Sequence, residues 1–302
     1  MRQTIGRKNY AWIDITEPNE DDIKYLKDAF GIHPLTASAI IPAIHYPDLD
    51  QFKNYIFIIL HYPHLTEKGE IKIREFDFIA GQNYLVSNHQ EEIAPLRQVF
   101  DAYNKPDARR ADYMNTAPYI LFLILNTFLK DVLSKINEIV KEIDAIEARL
   151  FSGDERVMLA EISSLKMKIL DFWRIVEPQK MIFESLRATG TSFYGQEHRH
   201  YFVILHRAHR RIENTLKNAK ETVEALEETS HILVTVKTNE VIRVLTVFSA
   251  VFMPLTFLAS IWGINTNFLP FGNTKLDFLL IVIIMAAALA VMLSYFRHKK
   301  WI

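Results

Sequence analysis

Two uncharged apolar runs, 244–262 and 278–296, constrain this chain more than any other feature. Each is long enough to cross roughly 30 Å of hydrocarbon as a helix of about 20 residues. Between them sits Gly263-Ile264-Asn265, and the first run closes a helical pattern that extends from about residue 198 to Trp262 with Pro254 as its single proline. The expected molecule is an α+β membrane protein with two C-terminal spans and most of its chain in one aqueous part. Whole-chain averages conceal this, because the aqueous part dilutes the spans to a mean hydropathy of +0.02. The balance of 35 basic against 36 acidic residues excludes a general nucleic-acid binder. The absence of cysteine removes disulfide frameworks, thiol catalysis and cysteine-based zinc sites.

Hydrophobic patterning divides the chain into an N-terminal cytoplasmic α/β domain (1–110), a long antiparallel helical hairpin (111–196) and a stalk helix (197–243). The first span (244–262), an outer loop (263–277), the second span (278–296) and a basic tail (297–302) follow. Strands are expected at 10–15, 55–60, 71–79 and 84–87, where aromatic and β-branched residues concentrate. A helix start is expected at 16–20, with Ile23, Leu26 and Phe30 as its apolar face. Two helices, 111–151 and 155–186, are expected to turn at Ser152-Gly153-Asp154, and a glycine-bearing loop is expected at 189–195. No apolar secretory segment opens the chain, so the large domain is expected to stay in the cytoplasm. Lys237 and Arg243 before the first span, and Arg297, Lys299 and Lys300 after the second, place both termini there and the loop outside.

Steps of four and three along the long helix, from Glu228, select Ile232, Thr235, Asn239, Ile242, Thr246, Ser249, Met253, Thr256 and Ser260. Within the first span four of the five selected positions are hydroxyls, on a helix otherwise rich in Val, Phe, Leu and Ala. Hydroxyls gathered on one face of a membrane helix meet water, pack against a partner helix, or bond back to their own backbone. Two spans cannot enclose a channel, so a pathway along this stripe requires several copies around an axis. Glu221, Glu224 and Glu228 form an acidic stripe nearer the N-terminus of the same helix, read either as a cytoplasmic mouth or as a solvated face with pairs such as Glu213 to Lys217.

The segment Asn239 to Asn265, NEVIRVLTVFSAVFMPLTFLASIWGIN, resembles the CorA family of divalent-cation transporters, two-span proteins with a Gly-x-Asn signature. Asn239, Leu245, Thr246, Met253, Pro254, Leu255, Thr256, Phe257, Gly263 and Asn265 match that pattern. Weaker echoes lie in Trp12-Ile13-Asp14, in Gly31 to Leu35 and in the basic ending. The resemblance implies a homopentameric funnel in the plasma (inner) membrane, with the first spans around a central pore and no cofactor. It also implies that Asn265 forms the outer ring for a hydrated ion and that Thr256 and Met253 line the upper pore. Leu245 and Ile242 are then a hydrophobic constriction, Asn239 a polar ring beneath, and Glu228 an acid at the cytoplasmic mouth. Mg2+ sheds its water reluctantly, so neutral carbonyl oxygens that receive hydrogen bonds from its waters suit such a ring.

Mg2+ driven inward by the membrane potential is the leading substrate, with Zn2+, Co2+ and Ni2+ as alternatives. Ile264 in place of the usual Met also resembles zinc-transporting relatives of the ZntB type, for which proton coupling is the alternative mechanism. The outer loop, Thr266 to Phe271, carries no acid to concentrate cations. His206-Arg207-Ala208-His209-Arg210-Arg211 is basic, which argues against gating by bound Mg2+. These histidines, with Glu197-His198-Arg199-His200, are read as a solvated or salt-bridged face rather than a zinc site. No phosphate-cradling glycine pattern and no hydrolase or zinc-protease motif is present, so an enzyme is not expected; His61-Tyr62-Pro63-His64 reads as a segment after a strand. A membrane-anchored cytoplasmic ligand sensor or scaffold is the rival of another class.

Overall fold

A computed structural model of the chain describes residues 1–7, 10–41, 45–66, 69–104, 116–150, 155–263 and 275–301. It divides into two compact units, Met1–Glu227 and Glu228–Ile302.

Unit 1 is built on a six-stranded sheet in the order β1-β2-β6-β5-β4-β3. Its strands are β1 (Arg2–Arg7), β2 (Tyr10–Thr16), β3 (Asp48–Gln51), β4 (Tyr55–Leu65), β5 (Ile71–Gly81) and β6 (Tyr84–His89). Only the β2–β6 pair is parallel. The chain between them contains α1 (Glu20–Phe30), α2 (Pro34–Ala39) and the antiparallel strands β3–β5. Ile13, Ile15, Phe57, Ile59, Ile79 and Val86 share one buried cluster with Ile23 and Leu26 of α1 and Ala37 of α2. The opposite face is also covered. Phe76 stacks on Phe128 at 4.5 Å, and Trp12 meets Phe100 edge-on at 5.0 Å. Those partners belong to α3 (Ala94–Asn104) and α4 (Ala117–Glu147). Burial on both faces is why Tyr55 to Leu60 reads as a continuous apolar run rather than a strict alternation.

The helix start expected at 16–20 is displaced to Asn19. Thr16 ends β2, and the Asn19 side chain accepts from the Asp22 N–H while Asp22 caps in return. Gly31, at φ 61°, closes α1 with its N–H on the Lys27 carbonyl. The segment His61-Tyr62-Pro63-His64, expected to follow a strand, instead lies inside β4. Pro63 is tolerated because β3 pairs only with residues 56–59, which leaves that edge of β4 open beyond them. The same edge is closed at His61 by the Gln179 side chain. It accepts from the His61 N–H at 3.3 Å and donates to the His61 carbonyl at 3.0 Å.

The single helix expected over 155–186 is interrupted. It becomes α5 (Glu155–Val176), one 3-10 turn at Glu177–Gln179, and α6 (Lys180–Tyr194). Pro178 lacks the N–H that would bond back one turn and its ring crowds that carbonyl, so the helix breaks there. The loop expected at 189–195 is mostly helix, since α6 runs through Gly190 to Tyr194. A Cβ at Gly190 would lie 2.7 Å from the Phe202 ring, so glycine permits this close approach. The turn Ser152-Gly153-Asp154, Phe151 and the start of the first hairpin helix at 111–115 lie outside the described residues.

Helix α7 (Arg199–Gly263) is 65 residues long with Pro254 inside it, and α8 (Lys275–His298) follows. Both are long and apolar enough to cross a membrane. Unit 2 consists of the distal part of α7 with α8 and the short tail after it.

Candidate ion pathway

Within unit 2, shielding marks one side of each helix. On α7, Val247 and Val251 are buried, and Ala250, Pro254, Leu258 and Ile261 are partly so. These positions recur every three or four residues and so share one face. On α8 the partly shielded positions are Ile281, Met285, Ala288, Leu289, Met292 and Phe296. These two sets of positions mark one shielded side on each helix.

Thr246, Ser249, Met253, Thr256 and Ser260 occupy a different face, centred about 130° round the helix from the shielded one at 100° per residue. Every one of them is exposed in the single chain, as are Asn239 and Ile242 below them, and Met253 is 76% exposed. Leu245 sits on the shoulder of this stripe and is also exposed. Sequence reasoning missed Val247 and Val251, which fix the shielded side; they stand among other β-branched residues that are exposed, such as Val241 and Val244, so composition carried no signal for them.

Three of the four stripe hydroxyls in the span have committed hydrogens. Thr246 Oγ1 donates to the Ile242 carbonyl at 2.7 Å, Thr256 Oγ1 to Phe252 at 2.8 Å, and Ser260 Oγ to Thr256 at 2.7 Å. The single chain thus shows the back-bonded alternative, and that state retains chemistry. A hydroxyl whose hydrogen is used still offers lone pairs outward, and waters around a cation donate hydrogen bonds. Pro254 removes the N–H that the Ala250 carbonyl would otherwise receive.

Gly263 is the last residue of α7, and a Cβ there would meet nothing within 4 Å. Its φ lies outside the left-handed range, as befits a residue still within the helix. Ile264 and Asn265, with the outer loop residues Thr266 to Phe271, lie outside the described residues.

Glu221, Glu224 and Glu228 are all exposed. Lys217 and Lys220 approach Glu221 and Glu224 at 3.8 and 4.0 Å, which leaves Glu228 without an ion pair among the described residues. The expected Glu213–Lys217 pair is replaced by Glu213 with Lys180, at 2.9 Å, because Glu213 turns toward α6. Among the described residues no cluster of three or more His, Asp or Glu side chains can hold a metal ion.

One histidine of the basic stretch departs from the solvated reading. His209 is 3% exposed, stacks on Phe183 at 4.7 Å and bonds through Nε2 to the Val176 carbonyl at 3.1 Å. Burial holds its pKa down at about 4, so it is a neutral core residue.

The sequence profile of the CorA-like Mg2+ transporter proteins matches residues 7–299, nearly the whole chain. The chain belongs to the CorA family. The cobalt/magnesium transport protein CorA of Thermotoga maritima is 27% identical over 97% of this chain and 83% of its own length. The complete structure of the CorA magnesium transporter from Methanocaldococcus jannaschii superposes with a TM-score of 0.82 over 99% of this chain and 94% of that one, at 18% identity. A ZntB cytoplasmic domain from Vibrio parahaemolyticus gives a TM-score of 0.62 over 74% of this chain and 88% of that one. At 12% identity that likeness shows the fold alone, and the zinc branch is not favoured. Membership in the CorA family makes the protein a membrane transporter of divalent cations rather than an enzyme or an anchored sensor. The cation is its cargo, not a cofactor.

Proposed function

We propose that several copies of the chain, five by its resemblance to the CorA family, surround an axis with the exposed stripe of α7 turned inward, and that Mg2+ passes along it from outside to the cytoplasm. The observation that carries this reading is the position of the stripe. The hydroxyl-rich side of α7 is exposed and lies away from the shielded side of that helix, so it is free to face an axis. In this reading Asn265 receives the hydrated ion outside, with Gly263 and Ile264 beside it. Thr256, Met253, Ser249, Ser260 and Thr246 line the span, Ile242 and Leu245 narrow it, and Asn239 and Glu228 lie beyond. Both termini are cytoplasmic and the loop faces out, by the distribution of Lys and Arg around the spans.

Potential alone suffices as a driving force. An inside-negative 100 mV favours inward movement of a divalent ion by about 4.6 kcal/mol, twice the cost per elementary charge. The test is Mg2+ flux into proteoliposomes with an imposed potential. The expected result is potential-driven uptake, reduced at least tenfold by Asn265→Ala. Uptake that follows a proton gradient and carries Zn2+ but not Mg2+ would contradict it.

A further inference from the structure

The first turns of α7 carry a charge pattern that the pathway does not use. Between Arg199 and Lys220 the chain holds four arginines and two lysines against one acid, Glu213. That acid is engaged by Lys180, and the two lysines have Glu221 and Glu224. Arg199, Arg207, Arg210 and Arg211 are exposed, and none has an ion-pair partner among the described residues. Elsewhere in unit 1 the rule is different: Arg2, Arg74, Arg97, Arg149 and Arg174 each have a carboxylate within 4.0 Å.

Arg207 stands three and four residues before Arg210 and Arg211, so their side chains are surface neighbours and repel one another on the bare helix. Arg187 of α6 is exposed and close by, since it, Glu184 and Arg210 all act on His206, whose pKa is lowered by burial first and then by Arg187 and Arg210, against the opposing pull of Glu184 and Glu213. Two helices thus present adjoining guanidiniums that outnumber the acids beside them, and Glu184, the exposed acid of α6 there, forms no ion pair with any of them among the described residues. Such forks match phosphate oxygens in geometry and charge. From Arg199 to Arg211 the face extends for about 18 Å of helix rise, which suits a small anion with several phosphates better than a long polymer. A lipid headgroup is the poorer source, since the cluster ends 33 residues before the first apolar run (244 − 211).

We propose that this arginine face of α6 and α7 binds a soluble triphosphate anion, such as that of a nucleoside triphosphate, in its magnesium-free form. A bound Mg2+ cancels two charges and occupies the β and γ oxygens that the guanidiniums would take. The face therefore fills when free Mg2+ is scarce and empties when it is plentiful. This regulatory meaning rests on the Mg2+ pathway proposed above; the binding itself does not.

The test is calorimetric titration of the purified full-length protein, in neutral detergent without divalent cation, with inorganic tripolyphosphate. Saturable binding is expected, weakened at least tenfold by Arg207→Gln with Arg211→Gln and by saturating Mg2+. The pair Arg207→Lys with Arg211→Lys should retain part of the affinity, and thermal melts verify that each variant is folded. Absent binding, binding unchanged in the Gln pair, or binding equally tight with Mg2+ overturns the proposal. Capture of phosphoinositide vesicles without tripolyphosphate binding overturns it in favour of a lipid. A change in oligomer mass in the Gln pair, again without tripolyphosphate binding, overturns it in favour of acids from a second copy of the chain. Tripolyphosphate binding by a protein that shows no Mg2+ flux would leave this inference standing and defeat the pathway.

Discussion

Units 1 and 2 obey opposite burial rules, although α7 contributes to both. In unit 1 the large apolar side chains are inside: Trp12, Ile56, Ile58, Phe78 and Phe202 are at most 1% exposed. In unit 2, only 11% of the most apolar stretch of α7 is buried, and none of that of α8. Val244, Phe257, Phe278, Ile283 and Val291 are more than half exposed. Burying such surface is the dominant favourable term for a fold in water, so unit 2 requires a different solvent. A bilayer supplies it, and against that background the exceptional residues are polar. Hydroxyls are unremarkable on the outside of unit 1 but informative on the outside of unit 2.

One type of substitution made in both units sharpens this contrast most. Ile283→Lys places a charge on the outer side of α8, and the expected penalty for insertion is about 2.5–3.5 kcal/mol, read as the loss of membrane-integrated protein. Ile204→Lys, on the exposed side of α7 in unit 1, should change stability by no more than about 0.5 kcal/mol. Equal effects at both sites would break the comparison.

The next effect is confined to unit 1. His209 has a folded pKa of about 4 against an ordinary 6.5, so as pH falls the unfolded chain takes up the proton first. The stability that neutral His209 contributes is complete above about pH 6.5 and is lost progressively toward pH 4, by up to about 3 kcal/mol. Denaturant titrations between pH 7 and 4 should show this slope, and His209→Gln should flatten it.

Two glycines give a smaller contrast. Gly190→Ala drives a methyl into the Phe202 ring and should cost about 1–3 kcal/mol in a thermal melt. Gly263→Ala meets nothing and should leave stability within about 0.5 kcal/mol, so any loss of flux there reports on the pathway rather than on folding. Smallest of all, Lys217→Ala removes an exposed pair with Glu221 and should cost about 0.3–0.5 kcal/mol.

What could be read from the sequence follows the same division. The spans and the stripe were legible because lipid leaves few places for hydroxyls, so their spacing survives as a pattern. The direction of the hydroxyl hydrogens was not, since it depends on rotamers. Strands β4 and β5 were legible as aromatic and β-branched runs. The edge strands β1 (RQTIGR) and β3 (DLDQ) were not, because each carries a single large apolar residue, too few to show a period of two. Pro178 announced the break between α5 and α6 but was overridden by the apolar spacing on either side. His209 was hidden by its arginine neighbours: one position of rotation separates a buried face from a solvated one, and composition does not record it.

The most direct test of the account is cysteine accessibility, which the cysteine-free chain allows without background. Thr256→Cys and Leu258→Cys are made separately, reconstituted, and treated from outside with a small cationic thiol reagent during Mg2+ influx. The account predicts that the reagent blocks influx through the Thr256→Cys protein and spares Leu258→Cys, whose side chain lies on the shielded face of α7. Block at Leu258→Cys with Thr256→Cys untouched would contradict it.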